Sequence, residues 1–129
     1  MEELNLKSYA YIGDAVWELF VRELTVIQTQ NAKELHKLTT EYVKASSQQE
    51  LLQKIESLLT EEEKELERRG RNISVPIARK SSQSSYRQAT AFEVLIGWWY
   101  KKDKSRLSDI EKVLKENLEK DFTKKNYRI

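Results

Sequence analysis

Tyr9-Ala10-Tyr11-Ile12-Gly13-Asp14-Ala15-Val16-Trp17, residues 9–17, sets a glycine and an acid inside an apolar segment. Around it Leu6, Tyr9, Ile12, Val16, Leu19 and Phe20 recur at spacings of three and four, which predicts one helix over residues 5–27. A glycine inside a helix costs roughly 1 kcal/mol against alanine. Gly13 therefore points to another backbone or a ligand packed close against it. Aspartate is also a poor interior helix residue, so Asp14 calls for a local hydrogen bond, an ion pair or a functional role.

A second acid lies in Ala91-Phe92-Glu93-Val94-Leu95-Ile96-Gly97-Trp98-Trp99, the most apolar stretch of the chain. A buried carboxylate is costly unless it is paired or binds a metal. Gly97 stands four residues after Glu93 and is expected to leave space beside the carboxylate. Glu18, one turn beyond Asp14, shares its face and is a candidate third metal ligand, although Arg22 four residues later makes a surface ion pair the competing role. Hard oxygen donors without His or Cys suit Mg²⁺ or Mn²⁺ rather than zinc.

The rest of the chain sets the frame for these two acids. Its 129 residues, 39% hydrophobic and 34% charged, fit one domain with a core. Three glycines and one proline predict an all-α fold, and no segment alternates like a strand. Cysteine is absent, which excludes disulfides and a cysteine nucleophile, and a lone His36 excludes a two-histidine mechanism within one chain. The longest apolar run, Val94 to Tyr100, has seven residues, too few to span a bilayer. With no basic-then-apolar leader, a cytoplasmic protein without membrane contact is expected.

Periodicity predicts a second helix over residues 31–45, through Leu35, Leu38, Tyr42 and Val43. Ser46 and Ser47 are expected to break it before a third segment with Leu51, Leu52, Ile55 and Leu58. Thr60 with Glu63 reads as a capping box opening a short charged helix that ends near Gly70. Residues 71–85, with Asn72, Pro76 and several serines, read as a loop, and helix resumes from about Tyr86 to Tyr100. Ser108 with Glu111 matches a second capping box within the start of a last helix, whose apolar positions are Leu107, Ile110, Val113, Leu114 and Leu118. The whole of residues 1–129 is taken as one domain, with a loose tail from about Asp121.

Charge is uneven along this near-neutral chain of net charge +2. Residues 68–87 carry Arg68, Arg69, Arg71, Arg79, Lys80 and Arg87 with no acid, which suggests an anionic partner or, as the plain alternative, a solvated basic loop.

Tyr11-Ile12-Gly13-Asp14-Ala15-Val16 resembles the signature helix of ribonuclease III domains, and Phe92-Glu93-Val94-Leu95-Ile96-Gly97-Trp98-Trp99-Tyr100 resembles their second acidic helix. Arg68-Arg69-Gly70-Arg71-Asn72 and Tyr86-Arg87-Gln88-Ala89-Thr90 look like the Mini-ribonuclease III branch, which has the catalytic domain without a separate double-stranded-RNA-binding domain. The motifs stand in order, and the resemblance covers the chain from about residue 5 to 120. The resemblance implies a helical homodimer that cuts both strands of double-stranded RNA with Mg²⁺, Mn²⁺ being a substitute, and leaves 5′-phosphates. In this branch it implies maturation of large-subunit (23S) ribosomal RNA precursors.

Asp14 and Glu93 match the signature acids and are implied to be catalytic metal ligands. Two other acidic positions of the wider family do not match: Ala10 stands where a glutamate is usual and Thr90 where an aspartate is usual. Water and RNA phosphate oxygens would then complete the coordination. Arg68, Arg69, Arg71, Asn72, Arg79, Lys80 and Arg87 are the candidate RNA contacts, suited to recognition of phosphates and 2′-hydroxyls. Trp17, Trp98 and Trp99 are expected to pack rather than stack on bases, and His36 to lie on the helix surface. Tyr9, Ile12 and Val16 are candidate dimer contacts, with intrachain core as the alternative. The competing reading is a non-catalytic RNA-binding module of the same fold; a helical protein–protein adaptor would leave Glu93 and the basic stretch unexplained.

Overall fold

Asn5, Asn31, Thr60 and Asp103 are residue types whose side-chain oxygens bind the free N–H groups at a helix start, and each begins a helix. In the computed structural model, which describes residues 3–73 and 83–127, Asn5 opens α1 (Leu6–Thr25), Asn31 opens α2 (Ala32–Val43), Thr60 opens α4 (Glu61–Arg71) and Asp103 opens α6 (Lys104–Lys124). Between them lie α3 (Ala45–Ile55), a single 3₁₀ turn at Glu56–Leu58, and α5 (Gln83–Lys102). Among the described residues there is no strand, and no helix is long and apolar enough to cross a membrane.

The Thr60–Glu63 capping box is present in full: Glu63 N–H donates to Thr60 Oγ1 at 3.2 Å and Thr60 N–H to Glu63 Oε1 at 2.8 Å. The Ser108–Glu111 pair lies inside α6, which starts earlier because Asp103 Oδ1 accepts the Arg106 N–H at 3.0 Å. Ser46 and Ser47 do not break a helix. The break is Lys44, extended at φ −70° and ψ 157°, and the serines sit in the first turn of α3, where Ser47 Oγ donates to the Glu41 carbonyl. α5 is helical from Gln83, three residues before the expected start.

The tail from Asp121 is not loose. α6 continues to Lys124, and Phe122 is fully buried with its ring 5.5 Å from that of Tyr42. An aromatic ring in the core outweighs the fraying expected near a terminus.

α5 lies at the centre and packs against α1, α3, α4 and α6. Its stretch over residues 89–99 is therefore apolar on most sides, with Phe92, Leu95, Ile96 and Trp99 in the core. Trp17 and Trp99 are buried, and Trp98 packs against the same core half-exposed, so the tryptophans are structural. Trp17 Nε1 donates to the Tyr42 carbonyl at 3.0 Å and its ring meets Phe92 edge-on at 5.0 Å. His36 is exposed on α2. Tyr9 is core, 2% exposed, whereas the apolar groups that α1 shows to solvent are Tyr11 and Leu19, 81% and 60% exposed.

A buried polar knot ties three helices together. Glu63 accepts Trp99 Nε1 at 2.8 Å from α5, and Arg106 of α6 at 3.0 Å (Nε) and 2.9 Å (Nη2). Burial alone would raise the Glu63 carboxyl; Arg106, the Thr60 N–H and Trp99 outweigh it and hold its pKa below the usual value.

Candidate active site

The site is set by a crossing of α1 and α5 that only glycines permit. A Cβ on Gly13 would fall 1.8 Å from the Glu93 carbonyl oxygen, and one on Gly97 would fall 1.9 Å from that of Tyr9. Gly13 is thus close-packed against a backbone, one of the two explanations open from sequence. Gly97, by contrast, leaves no space beside the carboxylate: the Tyr9 carbonyl of α1 occupies that volume. With the Gly13 backbone held against Glu93, the next residue, Asp14, comes alongside it.

The two acids meet. Their carboxyls lie within hydrogen-bonding reach, Asp14 exposed on α1 and Glu93 half-buried on α5. Burial first, and then the neighbouring Asp14, push the Glu93 carboxyl up to about 8, while a hydrogen bond from Gln48 acts in the opposite sense. Among the described residues, no lysine or arginine is one of the groups that act on Glu93.

Gln48 is the residue that sequence reading missed. It stands on α3, 2% exposed, and its Nε2 donates to Glu93 Oε2 at 3.4 Å. The signal was an amide on the apolar stripe of α3, three and four residues before Leu51 and Leu52 and seven before Ile55.

The other candidate ligands are accounted for. Glu18 pairs with Arg22 at 2.6 Å on the surface. Thr90 Oγ1 donates to the Tyr86 carbonyl of its own helix at 2.9 Å, and Ala10 offers no side-chain donor atom. Among the described residues no three His, Cys, Asp or Glu side chains gather as a metal cluster. The oxygen donors that the site offers are the two carboxylates of Asp14 and Glu93. That fits a hard divalent ion which keeps several waters and does not fit zinc.

A linked pH dependence follows. The Glu93 pKa is raised on folding, so protonation favours the folded state. Its contribution is fully present below the ordinary carboxylate value and is lost as pH rises towards 8. Metal-free protein is expected to lose stability between pH 5 and 8, and Glu93→Gln to remove on the order of 1–3 kcal/mol of that loss. Urea unfolding at both pH values with chelator checks this, and parallel wild-type and variant slopes would contradict it.

The basic candidates gather where α4 ends against α5, Gly70 packing directly on Ala91. Arg68 forms a two-pronged pair with Glu65, both contacts at 2.7 Å, and Arg69 and Asn72 are exposed. Arg71 lies 3.5 Å from Glu67, whose carboxyl is raised by burial and then by neighbouring Glu56. Arg87 Nη1 donates to the Arg71 carbonyl at 2.9 Å and so helps fix the end of α4. Arg79 and Lys80 lie outside the described residues. Arg87 is six residues before Glu93, about 9 Å along the helix axis, so this basic edge adjoins the acid pair.

A model of the ribonuclease III domain matches residues 7–104. The chain belongs to the ribonuclease III domain family and is thereby an endoribonuclease. Among its relatives, it is 40% identical to Mini-ribonuclease 3 of Gloeobacter violaceus over 110 residues, covering 85% of this chain and 82% of that protein. It is 37% identical to Mini-ribonuclease 3 of Clostridium tetani over 118 residues, covering 88% and 78%. In three dimensions it is similar to the crystal structure of a protein from Fusobacterium nucleatum, with a TM-score of 0.78 at 30% identity over 90% of this chain and 95% of that one.

Proposed function

We propose that the protein is a Mg²⁺-dependent endoribonuclease that cleaves double-stranded RNA and matures large-subunit (23S) ribosomal RNA precursors in the cytoplasm, with Asp14 and Glu93 as its catalytic metal ligands. The observation that carries this is the meeting of those two carboxyls, with no cation of the described residues among the groups acting on Glu93. Two acids forced together, one of them half-buried, repel unless a proton or a metal ion joins them. A bound Mg²⁺ supplies Lewis acidity to the scissile phosphate, lowers the pKa of a water at the site and offsets charge on the leaving oxygen. Asp14 and Glu93 hold the ion in place, and the glycine crossing fixes their separation. Hydrolysis in this sense leaves a 5′-phosphate and a 3′-hydroxyl. The ribosomal precursor as substrate rests on the kinship with the Mini-ribonuclease 3 proteins.

Two strands call for two sites. A two-fold homodimer meets that need, and the exposed Tyr11 and Leu19 of α1 give it an apolar surface. Sedimentation is expected to report twice the chain mass of 15.3 kDa.

The test of the activity is digestion of a long RNA duplex with Mg²⁺ and with chelator. Duplex products in Mg²⁺ alone support it; binding without cleavage in either condition favours the non-catalytic module. For the basic edge, with Arg68, Arg69, Arg71, Asn72, Arg79, Lys80 and Arg87 as proposed contacts, Arg69→Ala with Arg71→Ala is expected to weaken duplex binding about tenfold. It is also expected to reduce the salt slope by about one to two phosphate equivalents. Filter binding across a salt series checks this, and an unchanged slope would remove those two arginines from the interface.

A further inference from the structure

Besides the two acids, the active-site region holds a buried polar side chain, that of Gln48. Gln48 is 2% exposed, enclosed by α3 and α5, and its side chain reaches Glu93. A buried amide on an apolar helix face has a desolvation cost, so its partner matters. That partner is one specific oxygen, Oε2, of the acid proposed to hold the metal. The donor is neutral. A lysine or arginine at this place would neutralise Glu93 and compete with a cation, whereas an amide N–H orients the carboxylate and leaves its charge in place. At 3.4 Å the bond lies at the long end of the hydrogen-bond range.

With Ala10 and Thr90 offering nothing to the site, two acids alone must define where an ion sits. Two flexible carboxylates define a position poorly unless their rotamers are held. The exposed Asp14 is placed by the α1 backbone beside Gly13. Glu93 is placed by Gln48. A third link supports the frame: Ser85 Oγ donates to Gln49 Oε1 at 2.7 Å, fixing the neighbouring α3 residue to the start of α5.

We propose that Gln48 is a positioning residue of this active site: its buried amide holds Glu93 Oε2 and sets the orientation in which Glu93 and Asp14 grip one divalent ion. The proposal rests on the reading of Asp14 and Glu93 as metal ligands. Outer groups that orient metal ligands typically alter metal affinity by about 10- to 100-fold when removed. Gln48→Leu and Gln48→Met keep the volume and remove the donor.

Three measurements on the full chain test it. Mn²⁺ binding without RNA, followed by electron paramagnetic resonance, is expected to weaken about tenfold in both variants. The Mg²⁺ concentration for half-maximal duplex cleavage is expected to rise by the same factor, with KM for the duplex within about twofold and the rate recovering at saturating Mg²⁺. Thermal unfolding is expected to remain cooperative. Folded variants with parental Mn²⁺ affinity, or a rate loss that Mg²⁺ does not recover, would overturn the proposal. Failure of both variants to fold would make Gln48 a structural residue and overturn it equally. Asp14→Asn and Glu93→Gln run alongside separate the two levels. If these cut RNA like the parent, the metal-site reading fails; if they are inactive while the Gln48 variants bind Mn²⁺ normally, only the positioning role fails.

Discussion

Asp14→Asn and Glu93→Gln are each expected to abolish duplex cleavage, by about 10³-fold or more, while RNA binding stays within about threefold of the parent. Each substitution keeps the shape of the side chain and removes a ligand charge. Loss of several kcal/mol of metal-assisted transition-state stabilisation corresponds to that factor. On the proposed reading binding survives because the phosphates are met by cations elsewhere, and losing an acid near them lowers repulsion. Single-turnover cleavage with gel-shift binding in the same buffer separates the two effects. Parental rates in either variant would remove the proposed chemistry. The two substitutions differ in a second respect. Glu93→Gln also relieves the strain recorded in its raised pKa of about 8, so the inactive variant is expected to be the more stable protein at pH 8 without metal.

Gly13→Ala and Gly97→Ala are expected to have the largest effect on the fold, about 3–5 kcal/mol each. Usually alanine stabilises a helix relative to glycine. Here the added methyl would lie 1.8 Å from the Glu93 carbonyl oxygen or 1.9 Å from the Tyr9 carbonyl oxygen. Both obstacles are backbone, so neither can swing aside, and α1 and α5 have to separate. The same movement parts Asp14 from Glu93. Because a shift of about 1 Å at reacting groups costs on the order of 10²-fold, activity is expected to fall even under conditions where the variant remains folded. Urea unfolding and cleavage at low temperature measure the two losses. A stable, active Gly13→Ala protein would mean that the crossing is not what holds the acids.

The oddities of the chain were the informative part of its sequence. Gly13 and Asp14 in a helix interior, and Glu93 in an apolar run, each break a local preference, and all three lie at the α1–α5 crossing. The missing side chain of Gly97 reads in the sequence as room for the carboxylate; which backbone fills that room depends on tertiary packing. Local signals also compete. Ser108–Glu111 and Asp103 both fit a helix start, and Asp103 prevails because Arg106, the N–H donor it caps, also reaches Glu63 through its side chain. Phe122 looked like part of a frayed end because its partner Tyr42 is eighty positions away in sequence. Gln48 shows in the sequence only as a polar residue on an apolar stripe and Glu63 only as half of a capping box, because their partners, Glu93 and Arg106, lie 45 and 43 residues away.

The knot at Glu63 constrains any attempt to rebuild this scaffold. One carboxylate simultaneously closes the start of α4, receives the indole of α5 and grips the guanidinium of α6. A designer grafting the last helix onto a related backbone must therefore move Glu63, Trp99 and Arg106 as an inseparable trio. Transplanting any one alone strands a charge or a donor in the interior.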